Sequence, residues 1–138
     1  MKQLLVITIL TVLCIGCNKD DNGGSSQGDS SLTSGKWYYE SSNGEEGDEC
    51  DKMSSIEFKT DGKFIIDPYG YSDPAGGECA PMGALQGTYT VSGNSMSVTV
   101  FGETASGTYT VSETTLVTNG TIPFIGESEN TTWDKTSG

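Results

Sequence analysis

Beyond residue 31 the chain nowhere sustains a 3.6-residue apolar period. Thr, Val, Ile, Tyr and Phe instead alternate with polar residues in short runs that Gly, Asn and Asp interrupt. Alternation at period two puts successive side chains on opposite faces of a pleated strand, so the pattern predicts an all-β domain. Residues 35–40 form its first strand, with Trp37 and Tyr39 on one face, Lys36, Tyr38 and Glu40 on the other, and Trp37 plugging one end of the core. Residues 54–67, SSIEFKTDGKFIID, make two strands about Asp61-Gly62. A two-residue turn there would set Phe58 opposite Ile65 and leave Phe64 on the polar face. A three-residue loop, Thr60-Asp61-Gly62 with Gly62 left-handed, pairs Phe58 with Phe64 and Ile56 with Ile66 and buries all four, so this register is expected.

Residues 67–81, DPYGYSDPAGGECAP, hold too much Pro and Gly for a strand and read as a long loop tied back by Cys79. The hexapeptide GTYTVS then occurs at residues 87–92 and again at 107–112, and each copy begins a hairpin. In the first, Gly93-Asn94 is a turn signal that places Tyr89 and Val91 on one face with Met96, Val98 and Val100. In the second, Tyr109 and Val111 lead through Glu113-Thr114 into Leu116. Residues 130–135, with Trp133, form a last strand expected to bring Trp133 to Trp37 and close the sheet on itself. Closure removes the free edges that invite aggregation.

The start of the chain follows a different pattern. After Met1-Lys2-Gln3, residues 4–16 carry no charge, and their helical length of about 20 Å falls short of the ~30 Å hydrocarbon core, so they read as a cleaved signal peptide. Gly16-Cys17 ends the apolar run and resembles the lipobox of bacterial lipoproteins, in which the cysteine becomes the first mature residue and is acylated. Several acyl chains on one residue give the stable membrane anchoring that one chain cannot. Lys19-Asp20-Asp21 resembles the export signal of Bacteroidetes surface lipoproteins, which implies a lipid-anchored place in the outer membrane, facing the cell surface. Residues 22–31, NGGSSQGDSS, cannot bury apolar surface and serve as a tether. The expected organisation is therefore signal peptide 1–16, lipidated Cys17 and tether 17–31, and one domain over 32–138.

Composition narrows the chemistry. The net charge is −12, all seven basic residues are Lys, and loss of Lys2 with the signal peptide takes the charge to −13. Phosphate contacts need clustered Lys or Arg, so nucleic acid is excluded as a partner. The chain has no His, which removes Ser-His-Asp and Cys-His nucleophile systems and the usual zinc sites. No catalytic residue, cofactor or enzymatic activity is assigned. A carboxylate-based hydrolase stays as a remote alternative, requiring two carboxylates about 5–10 Å apart in a cleft. Cys14 leaves with the signal peptide and Cys17 is acylated, so Cys50 and Cys79 remain as an even pair in an oxidising compartment and read as a disulfide.

Trp37, Tyr39, Phe58, Phe64, Tyr89, Phe101, Tyr109 and Trp133 are the candidate interior of the domain, either lining an apolar pocket or simply filling the core. Glu45, Glu46, Asp48, Glu49 and Asp51 supply enough oxygen for a weak calcium site but lack EF-hand spacing, so no metal is assigned. Pro68, Tyr69 and Tyr71 either offer aromatic surface to a partner or cover one end of the domain.

Leu32-x-x-x-Lys36-Trp37, Cys50-Asp51-Lys52, IEFKTDGKF, Cys79, GTYTVSGNSMSV and Thr132-Trp133-Asp134-Lys135 together resemble the bacterial lipocalin-like domain found in many Bacteroidetes lipoproteins. The resemblance implies a small up-and-down antiparallel β-barrel of about 7–8 short strands with the middle cysteine pair bridged. It implies a membrane-anchored carrier of a small apolar ligand. The other reading is a non-catalytic surface module with a filled barrel that binds protein or glycan.

Overall fold

The computed structural model describes residues 29–120 and 130–136. Its strands, in chain order, are β1 (Lys36–Ser42), β2 (Glu45–Glu46), β3 (Ser55–Phe58), β4 (Lys63–Asp67), β5 (Tyr69–Tyr71), β6 (Cys79–Pro81), β7 (Leu85–Ser92), β8 (Ser95–Val100), β9 (Glu103–Val111), β10 (Thr115–Gly120) and β11 (Thr131–Asp134). A single 3-10 turn, Asp51–Met53, is the helical element among the described residues. Strands β1, β3, β4, β7, β8, β9, β10 and β11 run antiparallel in that order, and β11 pairs back onto β1 to close an eight-stranded barrel. β2 hangs on the end of β1, and β5 with β6 forms a separate two-stranded sheet.

The register follows from side-chain alternation and turn chemistry. Phe58 lies opposite Phe64 and Ile56 opposite Ile66, and Gly62 closes the loop with φ 81°, as the burial argument requires. Ser92 pairs with Ser95 across Gly93-Asn94, with Gly93 at φ 60°, which sets Tyr89 against Val98 and Val91 against Met96. Glu113-Thr114 likewise joins Val111 to Leu116. The glycine that opens each GTYTVS copy has a steric reason: a Cβ on Gly87 would fall on the carbonyl oxygen of Thr99, and one on Gly107 on that of Asn119. Adjacent backbones crowd there because the sheet coils tightly enough to close, a curvature that glycine permits.

Inward residues from all eight barrel strands form one core with Leu32. Trp37, Ile56, Phe58, Phe64, Tyr89, Val98, Leu116 and Trp133 are all buried.

Three expectations are corrected. Residues 67–81 do not run as a strandless loop: Tyr69 pairs with Pro81, Gly70 with Ala80 and Tyr71 with Cys79 in a short hairpin. Proline is tolerated because Pro81 ends an edge strand of only two, where no further ladder bond is needed. Trp133 meets Tyr39 and not Trp37; the two residues pair across β1 and β11 with ring centroids 5.6 Å apart. Phe101 does not point inward. It occupies a two-residue turn with Gly102 between β8 and β9, at φ 52°, and is 75% exposed.

Candidate functional site

The two ends of the barrel differ. At one end the turn over residues 29–34 folds under the barrel and buries Leu32 completely. The indole N–H of Trp37 donates to the Leu32 carbonyl at 2.9 Å, and the Lys135 ammonium lies 3.6 Å from the Trp37 ring centre. The Lys135 nitrogen is buried with no hydrogen-bond partner, so the ring is its principal electrostatic contact, and burial lowers its pKa. This end is plugged.

Above the plug the aromatics pack on one another. Phe58 lies 5.2 Å from Phe64 and 5.0 Å, edge to face, from Tyr89, whose hydroxyl donates to the Lys59 carbonyl at 2.8 Å. Burial raises the Tyr89 and Tyr109 phenol pKa values, with smaller pushes from Asp61 and Asp29 respectively. Of the eight side chains singled out for a barrel interior, Trp37, Phe58, Phe64, Tyr89 and Tyr109 therefore sit in packed core, and Phe101 lies outside on its turn. Tyr39 and Trp133 are placed differently.

At the other end the barrel opens into a cleft of about 240 Å³. Buried Ile66 and Trp133 lie on its barrel side, Tyr39 and Tyr69 form aromatic walls, and Pro68, Met82, Ser54, Ser55 and Asp51 complete the lining. Tyr39 stands edge-on to Trp133, and the Trp133 indole N–H is satisfied by the Thr118 hydroxyl at 3.1 Å, so the ring is held from behind. The β5–β6 hairpin overhangs the opening and is tied down at several points. The Cys50–Cys79 disulfide joins it to the 3-10 turn, the Tyr69 amide donates to Ser54 Oγ at 2.9 Å, and the Tyr71 side chain hydrogen-bonds with Asp48, while the Met82 amide closes the hairpin on itself by donating to the Pro68 carbonyl at 2.8 Å.

The rim is acidic. Asp48 Oδ1 accepts the amides of Cys50 and Asp51 at 2.8 and 2.9 Å, and Asp51 Oδ2 accepts the Asp48 amide at 3.2 Å, which fixes this loop beside the cleft. Lys52 bridges Glu46 and Glu40. Among the described residues no lysine pairs with Glu45, Asp48, Glu49 or Asp51. Burial raises the Tyr39 phenol, Asp51 and Glu45 push it the same way, and a hydrogen bond with Ser42 opposes them. Tyr71, beside the disulfide, is raised by desolvation and then by Asp48, Asp51 and Glu49. Of the five acidic residues weighed as a calcium site, Asp48 and Asp51 thus serve the loop's hydrogen bonds and Glu46 an ion pair. Among the described residues no three His, Cys, Asp or Glu side chains gather to hold a metal ion.

Sequence reasoning missed Ile66, Met82, Ser54, Ser55 and Asp51 as cleft residues. The one signal was Cys50 next to Asp51, which ties the acidic loop to the hairpin that carries Tyr69. Cys17 and Lys19-Asp20-Asp21 lie outside the described residues.

A closed eight-stranded meander, plugged at one end and open to an aromatic cleft at the other, is a lipocalin-type barrel, an architecture suited to binding small ligands. Residues 33–118 match the family model described as a lipocalin-like domain, and the chain belongs to that family. No curated protein and no solved structure matches it.

Proposed function

We propose that this protein is an outer-membrane lipoprotein, anchored through acylated Cys17 and displayed at the cell surface, that binds a small, largely apolar molecule in the mouth cleft and does no chemistry on it. The observation that carries the reading is the cleft itself: three aromatic side chains around about 240 Å³ under a disulfide-tied hairpin. That volume is below the ~300–1,000 Å³ of drug-sized sites, so the ligand is small. The chain enters the barrel at the plugged end, through Leu32 and Lys36, while the cleft lies further on, beside Tyr39 in mid-β1, the start of β3 and the end of β4. An anchor at Cys17 would leave the mouth pointing away from the membrane. The absence of histidine supports a binding role over catalysis.

A second reading, a surface that docks a protein or glycan, draws on Met53, Tyr71 and Met82, which are 45%, 46% and 71% exposed around the same mouth. Native mass spectrometry of the full-length protein, extracted from its own host, separates the two. A bound small molecule supports the carrier reading, and its loss in Tyr69→Ala places it in the cleft. A ligand-free protein that captures a partner dependent on Met82 supports the second. For the anchor, labelled fatty acid should appear on the wild type and be absent from Cys17→Ala; equal labelling of both would refute acylation at that residue.

A further inference from the structure

The cleft has a charge preference as well as a shape. Half-buried Tyr39 and Tyr69 line it over the buried Trp133, and aromatic rings carry negative potential on their faces that attracts cations. Asp51 is the carboxylate in the lining, and its loop holds it in place through the paired amide bonds with Asp48. The nearest lysine in sequence, Lys52, is drawn away to Glu40 and Glu46. Between residues 40 and 52 six carboxylates stand against that one ammonium. A partly enclosed opening with a low-dielectric wall concentrates such a field, raising the local concentration of cations and repelling anions. A carboxylate or phosphate ligand would meet this field with no arginine or histidine in the chain to receive it.

We propose that the mouth cleft selects a small organic cation, an amine or quaternary ammonium on an apolar body, with Asp51 as its charge partner and Tyr39, Tyr69 and Trp133 as its aromatic walls. This rests on the cleft being the binding site, as proposed above, and adds the chemical class of the occupant. The acidic rim then has a use: it repels the fatty acids and phosphorylated metabolites that a neutral apolar cleft would admit.

Three probes of one shape and different charge test it: choline, 3,3-dimethylbutan-1-ol and 3,3-dimethylbutanoate, titrated into the full-length protein in nonionic detergent, with Trp133 indole NMR as the readout. Choline is expected to bind about five- to tenfold more tightly than the alcohol, the acid most weakly of the three, and the choline preference to shrink with added salt. Asp51→Asn should remove most of that preference by weakening choline binding far more than alcohol binding. Met82→Lys, at a position 71% exposed on the cleft lining, should weaken choline more than the alcohol. Equal affinity for choline and the alcohol, or equal loss of both in Asp51→Asn and Met82→Lys, overturns the charge selection while keeping the cleft. Failure of all three probes to move Trp133 overturns the cleft as the site and this inference with it.

Discussion

Tyr39 and Trp133 face each other across the β1–β11 seam, edge to face at 5.6 Å, so the contact that closes the barrel also builds one side of the cleft. Closure and binding therefore share side chains. Trp133 is 1% exposed, and Trp133→Ala should cost about 3–5 kcal/mol in urea unfolding through the cavity it leaves. Tyr39→Phe keeps the ring contact and loses a partly exposed hydroxyl with its Ser42 hydrogen bond, so it should cost about 1 kcal/mol. Equal losses from the two would mean that the ring contact does not hold the seam.

Removing the disulfide tests the roof. The bridge joins positions separated by 29 residues, and a loop of that size stabilises a small domain by about 3–4 kcal/mol in the chain-entropy account. The double variant Cys50→Ser, Cys79→Ser should lose stability of that order. Hydrogen exchange should rise first in residues 69–82, because without the bridge the hairpin is held over the cleft by the Ser54–Tyr69 and Asp48–Tyr71 hydrogen bonds and no covalent link. Protection unchanged in that segment would show that the hairpin sits there without the bridge.

Much of this fold was legible because each step depended on local chemistry. Phe58 against Phe64 followed from one left-handed glycine and the need to bury four side chains. The Cys50–Cys79 pair followed from counting cysteines. The cleft was less legible, since Tyr39, Asp51, Tyr69, Met82 and Trp133 come from separate segments whose meeting depends on closure and on the hairpin. Alternation tells which residues point inward. It does not tell which inward residues meet each other and which meet a void, so Trp37 and Trp133 looked equivalent although one is in the plug and the other at the mouth. The β5–β6 hairpin was hidden by its own prolines, Pro68 just before β5 and Pro81 at the end of β6, where they disrupt no ladder.

The glycines that start the repeats offer a steric test. Gly87→Ala and Gly107→Ala should each destabilise by more than about 2 kcal/mol, since a Cβ at either position collides with backbone that cannot move without opening the barrel. Urea midpoints near wild type for both would mean that the strands can separate there at little cost.

The alkaline limb of stability should rise and then fall. Burial lowers the Lys135 pKa below its ordinary 10.5, so between the folded value and 10.5 the unfolded chain binds more protons and stability increases with pH. Burial raises Tyr89 and Tyr109 above 10.0, so their contribution is fully present below pH 10.0 and is lost as pH climbs through the folded values. Lys135→Met should abolish the rise and keep the fall, measured by urea midpoints between about pH 8 and pH 11. A rise of the same size in both proteins would contradict the assignment to Lys135.

The central claim is that the mouth, and not the barrel's interior or its plugged end, is where this protein holds its ligand. Trp37, held in the plug by Leu32, and Trp133, in the lining of the cleft, lie two residues apart in register along the seam and report on the two sites separately. In the full-length protein, the molecule co-purified from the host should be stripped and restored while the two indole N–H resonances are followed. The account predicts a shift at Trp133 that saturates with ligand, with Trp37 unmoved; a shift at Trp37 with Trp133 still would contradict it.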